Sequence, residues 1–140
     1  SIKAKNKKMF YETYQEIFNS YRNKKVFDKI GDNELKIFIN SITEIKDGKL
    51  HIIYPNIWEY QIYNKGLLLD NYIWKNIHRL NIPCLIIRAD KSNAFLNPAA
   101  TLIKKLNPKI KIISIEDSTH LYPLEYPNKT YEHVSDYLDN

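Results

Sequence analysis

Glycine is scarce in this chain: there are three, Gly31, Gly48 and Gly66, among 140 residues. None stands in a glycine-rich loop that could cradle phosphate. None flanks a serine as G-x-S-x-G either, so the chain has no strained strand-to-helix elbow to expose a nucleophilic hydroxyl. Cysteine is scarcer still. Cys84 is alone and sits in an apolar run, which rules out a disulfide framework and predicts a buried, inert thiol. No cluster of His, Cys, Asp and Glu has metal-ligand spacing, so no metal and no other cofactor is implied. No apolar run approaches the about 20 residues that cross a membrane. The basic start, Ser1 to Lys8, runs directly into Met9-Phe10-Tyr11-Glu12, where charge returns. A secretory signal is therefore not expected, and cytoplasmic residence is the default.

What is present describes a folded domain. The 44% hydrophobic and 26% charged fractions are those of a globular protein. A chain of this size buries roughly 70% of the surface that its unfolded form exposes. The net charge of +5, with Lys3, Lys5, Lys7 and Lys8 at the start and eleven tyrosines overall, raises nucleic-acid binding as a reading. The distribution argues against it. Lysines are spread along the chain among Asp and Glu, and Lys, Asn, Ile and Tyr are enriched together, a compositional bias rather than a basic face.

Periodicity lays out the elements. From about Lys5 to Arg22, Phe10, Tyr14, Ile17, Phe18 and Tyr21 fall three and four apart, one face of a helix. Asp32 or Asn33 is placed to cap a second helix carrying Leu35, Phe38, Ile39 and Ile42. An Asp47-Gly48 turn leads into a strand over Leu50 to Tyr54, stopped by Pro55. Trp58 to Gly66 reads as loop with at most a helical turn, and Asp70 as the N-cap of a helix that ends before Pro83. Then come a strand over Cys84 to Ile87, a helix over Pro98 to Leu106, a strand over Ile110 to Ile115 and a closing helix over Asn128 to Leu138. Continuous Ile/Leu runs joined through a helix predict an α/β fold with parallel strands flanked by helices. Two such strands cannot stand alone, because both faces and both edges need partners.

Asp47-Gly48, Trp74, the strand Pro83-Cys84-Leu85-Ile86-Ile87-Arg88 with Asp90 just beyond it, His120 followed by Glu125 and Pro127, and the terminal helix stand in this order along the last part of the chain. Together they resemble the carboxyl-terminal part of an α/β-hydrolase of the esterase, lipase and aminopeptidase type. The resemblance implies that residues 1–46 are a helical cap or lid segment and residues 47–140 the carboxyl-terminal part of the core.

The resemblance also implies roles for particular residues. His120, on a loop beyond the last strand, would be the general base that takes the nucleophile's proton and returns it to the leaving group. His51, His78 and His133 lack that context and read as surface or half-buried residues. Where relatives write R-G-x-x-S-D, the position of the orienting aspartate holds Asn93, which hydrogen-bonds an imidazole but carries no charge. Such a change in a comparable triad costs about 10⁴ in turnover. Asp90 is the alternative acid. Ala89 and Thr119 stand where the family writes glycine. Because the family order is serine, acid, histidine, the missing elbow would lie before Ser1. The expectation is a truncated serine hydrolase for carboxylic esters or related acyl substrates, inactive alone. The alternatives are one half of a two-chain hydrolase completed by an amino-terminal partner chain, or a non-catalytic binding module using the Tyr-rich, basic surface.

Overall fold

The computed structural model describes residues 7–139. They form two compact units, divided between Tyr72 and Ile73. The first begins with strand β1 (Phe10–Tyr11) and helix α1 (Tyr14–Arg22), then a short 3₁₀ turn (Lys25–Phe27) and helix α2 (Asp32–Ser41). Strands β2 (Thr43–Lys46) and β3 (Lys49–Ile52) follow, and helix α3 (Asn56–Asn76) leads out of the unit.

Helix α1 starts nine residues later than its apolar spacing predicts, and the beginning of the predicted helix, Lys5 and Asn6, lies outside the described residues. The reason is local. Thr13 accepts the N–H of Glu16 at 3.2 Å, and the Glu16 carboxylate accepts the N–H of Glu12 at 2.9 Å, a capping arrangement that fixes the first turn. Phe10 and Tyr11 are left to pair with His51 and Leu50 of β3. Strand β2 is likewise absent from the sequence reading. It pairs antiparallel with β3 across Asp47 and Gly48, whose φ angles of 51° and 74° are the left-handed values a two-residue hairpin turn demands. The sheet order is β1-β3-β2.

The core of this unit is built where α1 and α2 present their apolar faces. Ile17, Leu35 and Ile39 are fully buried, and Tyr21, Phe27 and Phe38 pack as three mutually contacting rings with centroids 5.4 to 5.8 Å apart. Helix α2 begins at Asp32 itself, with Gly31 at the N-cap.

The region predicted as loop from Trp58 to Gly66 is helical, and Asp70 lies within α3 rather than at its start. Pro55 sits just ahead of the first turn, and no proline interrupts the next 21 residues. The single Gly66 costs a helix interior only about 1 kcal/mol.

In the second unit a 3₁₀ turn (Ile77–Arg79) precedes β4 (Leu85–Ala89), helix α4 (Asn97–Leu106), β5 (Lys111–Ile115), the four-residue helix α5 (Tyr122–Glu125) and helix α6 (Pro127–Leu138). Strands β4 and β5 are parallel, paired from Leu85 with Lys111 to Ala89 with Ile115, with α4 as the crossover. Pro98 occupies the first turn of α4, where its missing N–H has no partner to lose. Asn107 ends that helix, buried, donating its amide to the carbonyls of Ile77 and Leu80, both at 2.9 Å. Cys84 is half-buried rather than buried, as are Leu85, Ile86 and Ile87 at the start of β4, and it precedes the strand instead of lying within it. Its carbonyl accepts the N–H of Lys111 at the mouth of the ladder.

Candidate active site

Both strands of the parallel pair end where chemistry-bearing loops begin. β4 stops at Ala89, and Asp90, Lys91, Ser92 and Asn93 follow; β5 stops at Ile115, and the turn through Asp117 leads to His120. Open α/β sheets place their ligands outside the carboxyl ends of the strands, and that is where these two loops stand.

The two loops are tied together beyond the ladder. Asp90 donates its N–H to the Ile115 carbonyl at 3.2 Å, and Lys91 donates to the Ser118 carbonyl at 3.1 Å. The Asp90 carboxylate accepts the Ser118 N–H at 3.0 Å. Ser118 is fully buried, and its hydroxyl donates to the Ile115 carbonyl at 2.6 Å. On the outside, the Lys91 ammonium pairs with Asp117, whose φ of 54° marks the turn. Asp117 tolerates that left-handed backbone better than a branched residue would.

The histidine loop is closed from its other end as well. Glu125 accepts the Thr119 N–H at 2.8 Å and also takes the Thr119 hydroxyl, while Tyr122 donates its N–H to the Thr119 carbonyl at 3.0 Å. The Tyr122 hydroxyl reaches the Ile87 carbonyl at 3.3 Å, and burial pushes that phenol above its ordinary value. His120 is therefore carried between two fixed residues, Thr119 before it and the α5 turn after it.

His120 itself is exposed, and among the described residues its imidazole makes no hydrogen bond. Asn93 is exposed on the bend after β4, also without a hydrogen bond among them. Asp90 is exposed too, with its carboxylate on the loop backbone. Burial works to raise the Asp90 carboxyl, but the N–H groups of Asp117, Ser118 and Lys91, aided by the Lys91 charge, outweigh it and hold the carboxyl below its ordinary value. Asp90, Asn93 and His120 thus share the carboxyl end of one strand pair, and neither acid candidate hydrogen-bonds the imidazole. Catalytic hydrogen bonds are often long or unmade before substrate binds. Of the other histidines, His51 and His133 are half-buried and His78 is exposed.

Two features of the site escape sequence reasoning. One is the tie between Asp90 and Ser118, which joins residues 28 apart through a side chain and a backbone amide. The other is buried Arg88 on β4, which donates to the Ser114 hydroxyl at 3.0 Å and to the Phe95 carbonyl at 3.4 Å. Among the described residues no carboxylate pairs with it, and its Nε has no partner. No group of three His, Cys, Asp or Glu among those residues stands together as a metal site. Nor is any helix among them long and apolar enough to cross a membrane.

A parallel α/β pair with a helical crossover, followed by an acidic loop and a histidine loop, is part of the α/β-hydrolase fold, and the chain has that fold in part. Among solved structures, it is similar to E-2-(acetamidomethylene)succinate hydrolase, with a TM-score of 0.82 and 17% identity over 99% of this chain and 49% of that one. It is similar also to a peroxisomal α/β-hydrolase of Saccharomyces cerevisiae, with a TM-score of 0.77 and 14% identity over 94% of this chain and 36% of that one. An esterase of Mycobacterium tuberculosis matches with a TM-score of 0.69 and 14% identity over 95% of this chain and 45% of that one. The chain spans half or less of the length of each of these proteins. No family model and no curated protein matches its sequence.

Proposed function

We propose that this chain is the carboxyl-terminal part of a serine hydrolase acting on carboxylic esters or related acyl substrates, with His120 as its general base. In this reading residues 1–46 belong to the cap segment, and a nucleophile elbow outside the present sequence supplies the serine. The supporting observation is the placement of His120 on a loop fixed at both ends, immediately beyond β5 and tied to the loop after β4. Leu96, Leu102, Leu106, Val134 and Leu138 of the second unit are exposed, apolar surface of the kind that the rest of such a fold covers. A single cysteine, with no disulfide framework, goes with cytoplasmic residence.

The 140 residues alone contain no elbow, so they should not hydrolyse a 4-nitrophenyl ester or take up a serine-directed phosphonate. Joined to, or co-expressed with, an amino-terminal polypeptide carrying G-x-S-x-G, they should do both. His120→Ala in the completed enzyme should then lower turnover by about 10³ or more. Stoichiometric labelling of the chain alone, or full activity without His120, overturns the reading.

A further inference from the structure

We infer that the amino end of the paired strands β4 and β5, opposite the His120 loop, is a docking surface for an anionic lipid bilayer, formed by Arg79, Lys105, Lys109 and Lys111 around the exposed side chain of Ile82. The inference depends neither on His120 nor on any hydrolytic step.

The distribution of charge in the second unit carries it. From Ile73 to Ile115 the chain has eight Lys and Arg residues and one carboxylate, Asp90. Asp90 follows the carboxyl end of β4, so over this stretch the amino end is left with cations alone. The fold gathers lysines that are far apart in sequence. Asn107 binds the carbonyls of Ile77 and Leu80, which sets the turn carrying Arg79 against the end of α4, with Lys104 and Lys105 in its last turn. Lys111 donates its N–H to the Cys84 carbonyl at 3.0 Å, which brings the start of β5 beside the Ile82-Pro83 segment.

These cations are held by neutral groups. The Lys104 ammonium donates to the carbonyls of Pro108 and Ile110 at 3.0 and 2.8 Å, Arg79 meets the Asn76 side-chain oxygen at 3.3 Å, and the Lys111 ammonium stands 5.8 Å from the Tyr137 ring centre. Among the described residues no carboxylate pairs with any of the five. Cations in a last helical turn complement the helix dipole, which accounts for Lys104 and Lys105. It does not account for Arg79, Lys109 and Lys111, which lie outside α4. Asp136 and Asp139 stand near the end of α6, whose Tyr137 and Leu138 share a cavity wall with Pro83 and Lys111, so the patch has an acidic border on that side.

The apolar member of the patch decides between partners. Ile82 is 69% exposed, and Arg79, Lys105, Lys109 and Lys111 are exposed around it. Cations beside an aliphatic side chain suit phosphate headgroups and the acyl boundary beneath them. A single-stranded nucleic acid asks instead for aromatic faces on which its bases stack. Such a surface lies on the bilayer and crosses nothing, and with one shallow apolar contact its attachment is reversible and weakened by salt.

Flotation of the intact chain with lipid vesicles tests this without any catalytic assay. The chain should bind vesicles of phosphatidylcholine with about one-third phosphatidylserine, ignore phosphatidylcholine alone, and be released as salt rises to about 0.5 M. Arg79→Gln, Lys105→Gln and Lys109→Gln should each weaken binding by about fivefold. Ile82→Ser should weaken it by about threefold without changing the salt dependence. The basic start of the chain supplies the control: Lys3→Gln, Lys5→Gln and Lys46→Gln together remove the same charge and should leave binding within about twofold. All these positions but the first two are exposed in the fold, and circular dichroism confirms that each variant folds. Failure of the unaltered chain to float with the anionic vesicles overturns the inference, and needs no variant. Equal losses from the two sets of three substitutions overturn it too, since net charge rather than this patch would then bind. So does tighter binding of a single-stranded RNA than of the vesicles.

Discussion

Glu125 holds Thr119 twice, through the backbone N–H at 2.8 Å and through the side-chain hydroxyl, and so closes the loop that carries His120. The carboxylate ends α5, and Pro127 starts α6 immediately beyond, so this clamp is anchored in helix on its far side. Glu125→Ala removes both bonds from a partly buried site and should destabilise the chain by about 1–2 kcal/mol. Glu125→Gln keeps an acceptor and should lose less than half of that. Urea unfolding reads the difference as a shift in midpoint at constant slope. Equal midpoints for Glu125→Ala and the unaltered chain would show that the clamp does not hold the loop in solution.

Acid should loosen the molecule at two named carboxylates. Asp90 is held low by loop amides against its own burial, and Glu16 is held low first by its bond to Lys8 and then by the Glu12 N–H. For a carboxyl whose folded value is depressed, the stabilisation is complete above the unfolded value and disappears as pH falls through the folded one. The ordinary values are 3.8 and 4.5, so the loss sets in below these and not near neutrality. Stability measured from about pH 6 to pH 2 should fall less steeply in Asp90→Asn and in Glu16→Gln than in the unaltered chain.

The hairpin between β2 and β3 depends on Gly48. A methyl group there would meet nothing within 4 Å, yet the φ of 74° is one that side chains resist. Gly48→Ala should therefore cost about 1 kcal/mol through backbone conformation alone, and Gly48→Val more. Asp47→Asn, at the neighbouring φ of 51°, should be nearly neutral because asparagine accepts that conformation. Thermal unfolding of the three variants ranks them directly.

The elements legible in the sequence are those whose signals are local. β4, α4 and β5 are bounded by Pro83, Pro98 and Asn107-Pro108, and each carries an apolar run or stripe of its own. β1 and β2 are different: a strand of two residues and one with exposed Glu44, Ile45 and Lys46 exist only because β3 lies alongside. The first half of α3 is illegible in the sequence because Ile57, Trp58 and Ile62 all remain exposed, so they mark no single buried face. The site divides in the same way. His120 is visible as a histidine beyond a strand, whereas the tie from Asp90 to Ser118 depends on a side chain meeting an amide far along the chain.

Asn107 should be among the least replaceable residues of the second unit. It is 4% exposed, and its amide supplies donors to two carbonyls, Ile77 and Leu80, that close the turn before β4. Its oxygen accepts the Lys109 N–H at 3.2 Å, and its own N–H ends α4 on Ile103 at 2.8 Å. Asn107→Ala strands both carbonyls and should cost about 2–3 kcal/mol. Asn107→Asp keeps the shape but replaces donors with a buried charge, and should cost at least as much. A denaturant midpoint less disturbed by Asp than by Ala would mean that packing, and not donation, is what the site requires.

Arg88 makes the opposite prediction. The residue is 5% exposed, and its guanidinium is bonded to the Ser114 hydroxyl and the Phe95 carbonyl, with Nε unpaired and no carboxylate paired with it among the described residues. A buried charge with neutral partners recovers only part of its lost hydration, and a hydrophobe of similar volume often serves the fold as well or better. Arg88→Met should leave the stability of this chain unchanged or raise it by about 1 kcal/mol. Arg88→Ala opens a void between β4 and its neighbours and should lower stability by about 2 kcal/mol. The pair of variants separates charge from volume. If methionine is as damaging as alanine, the two hydrogen bonds of the guanidinium outweigh its desolvation, and Arg88 is a structural brace between β4 and β5 rather than a cost that the fold carries.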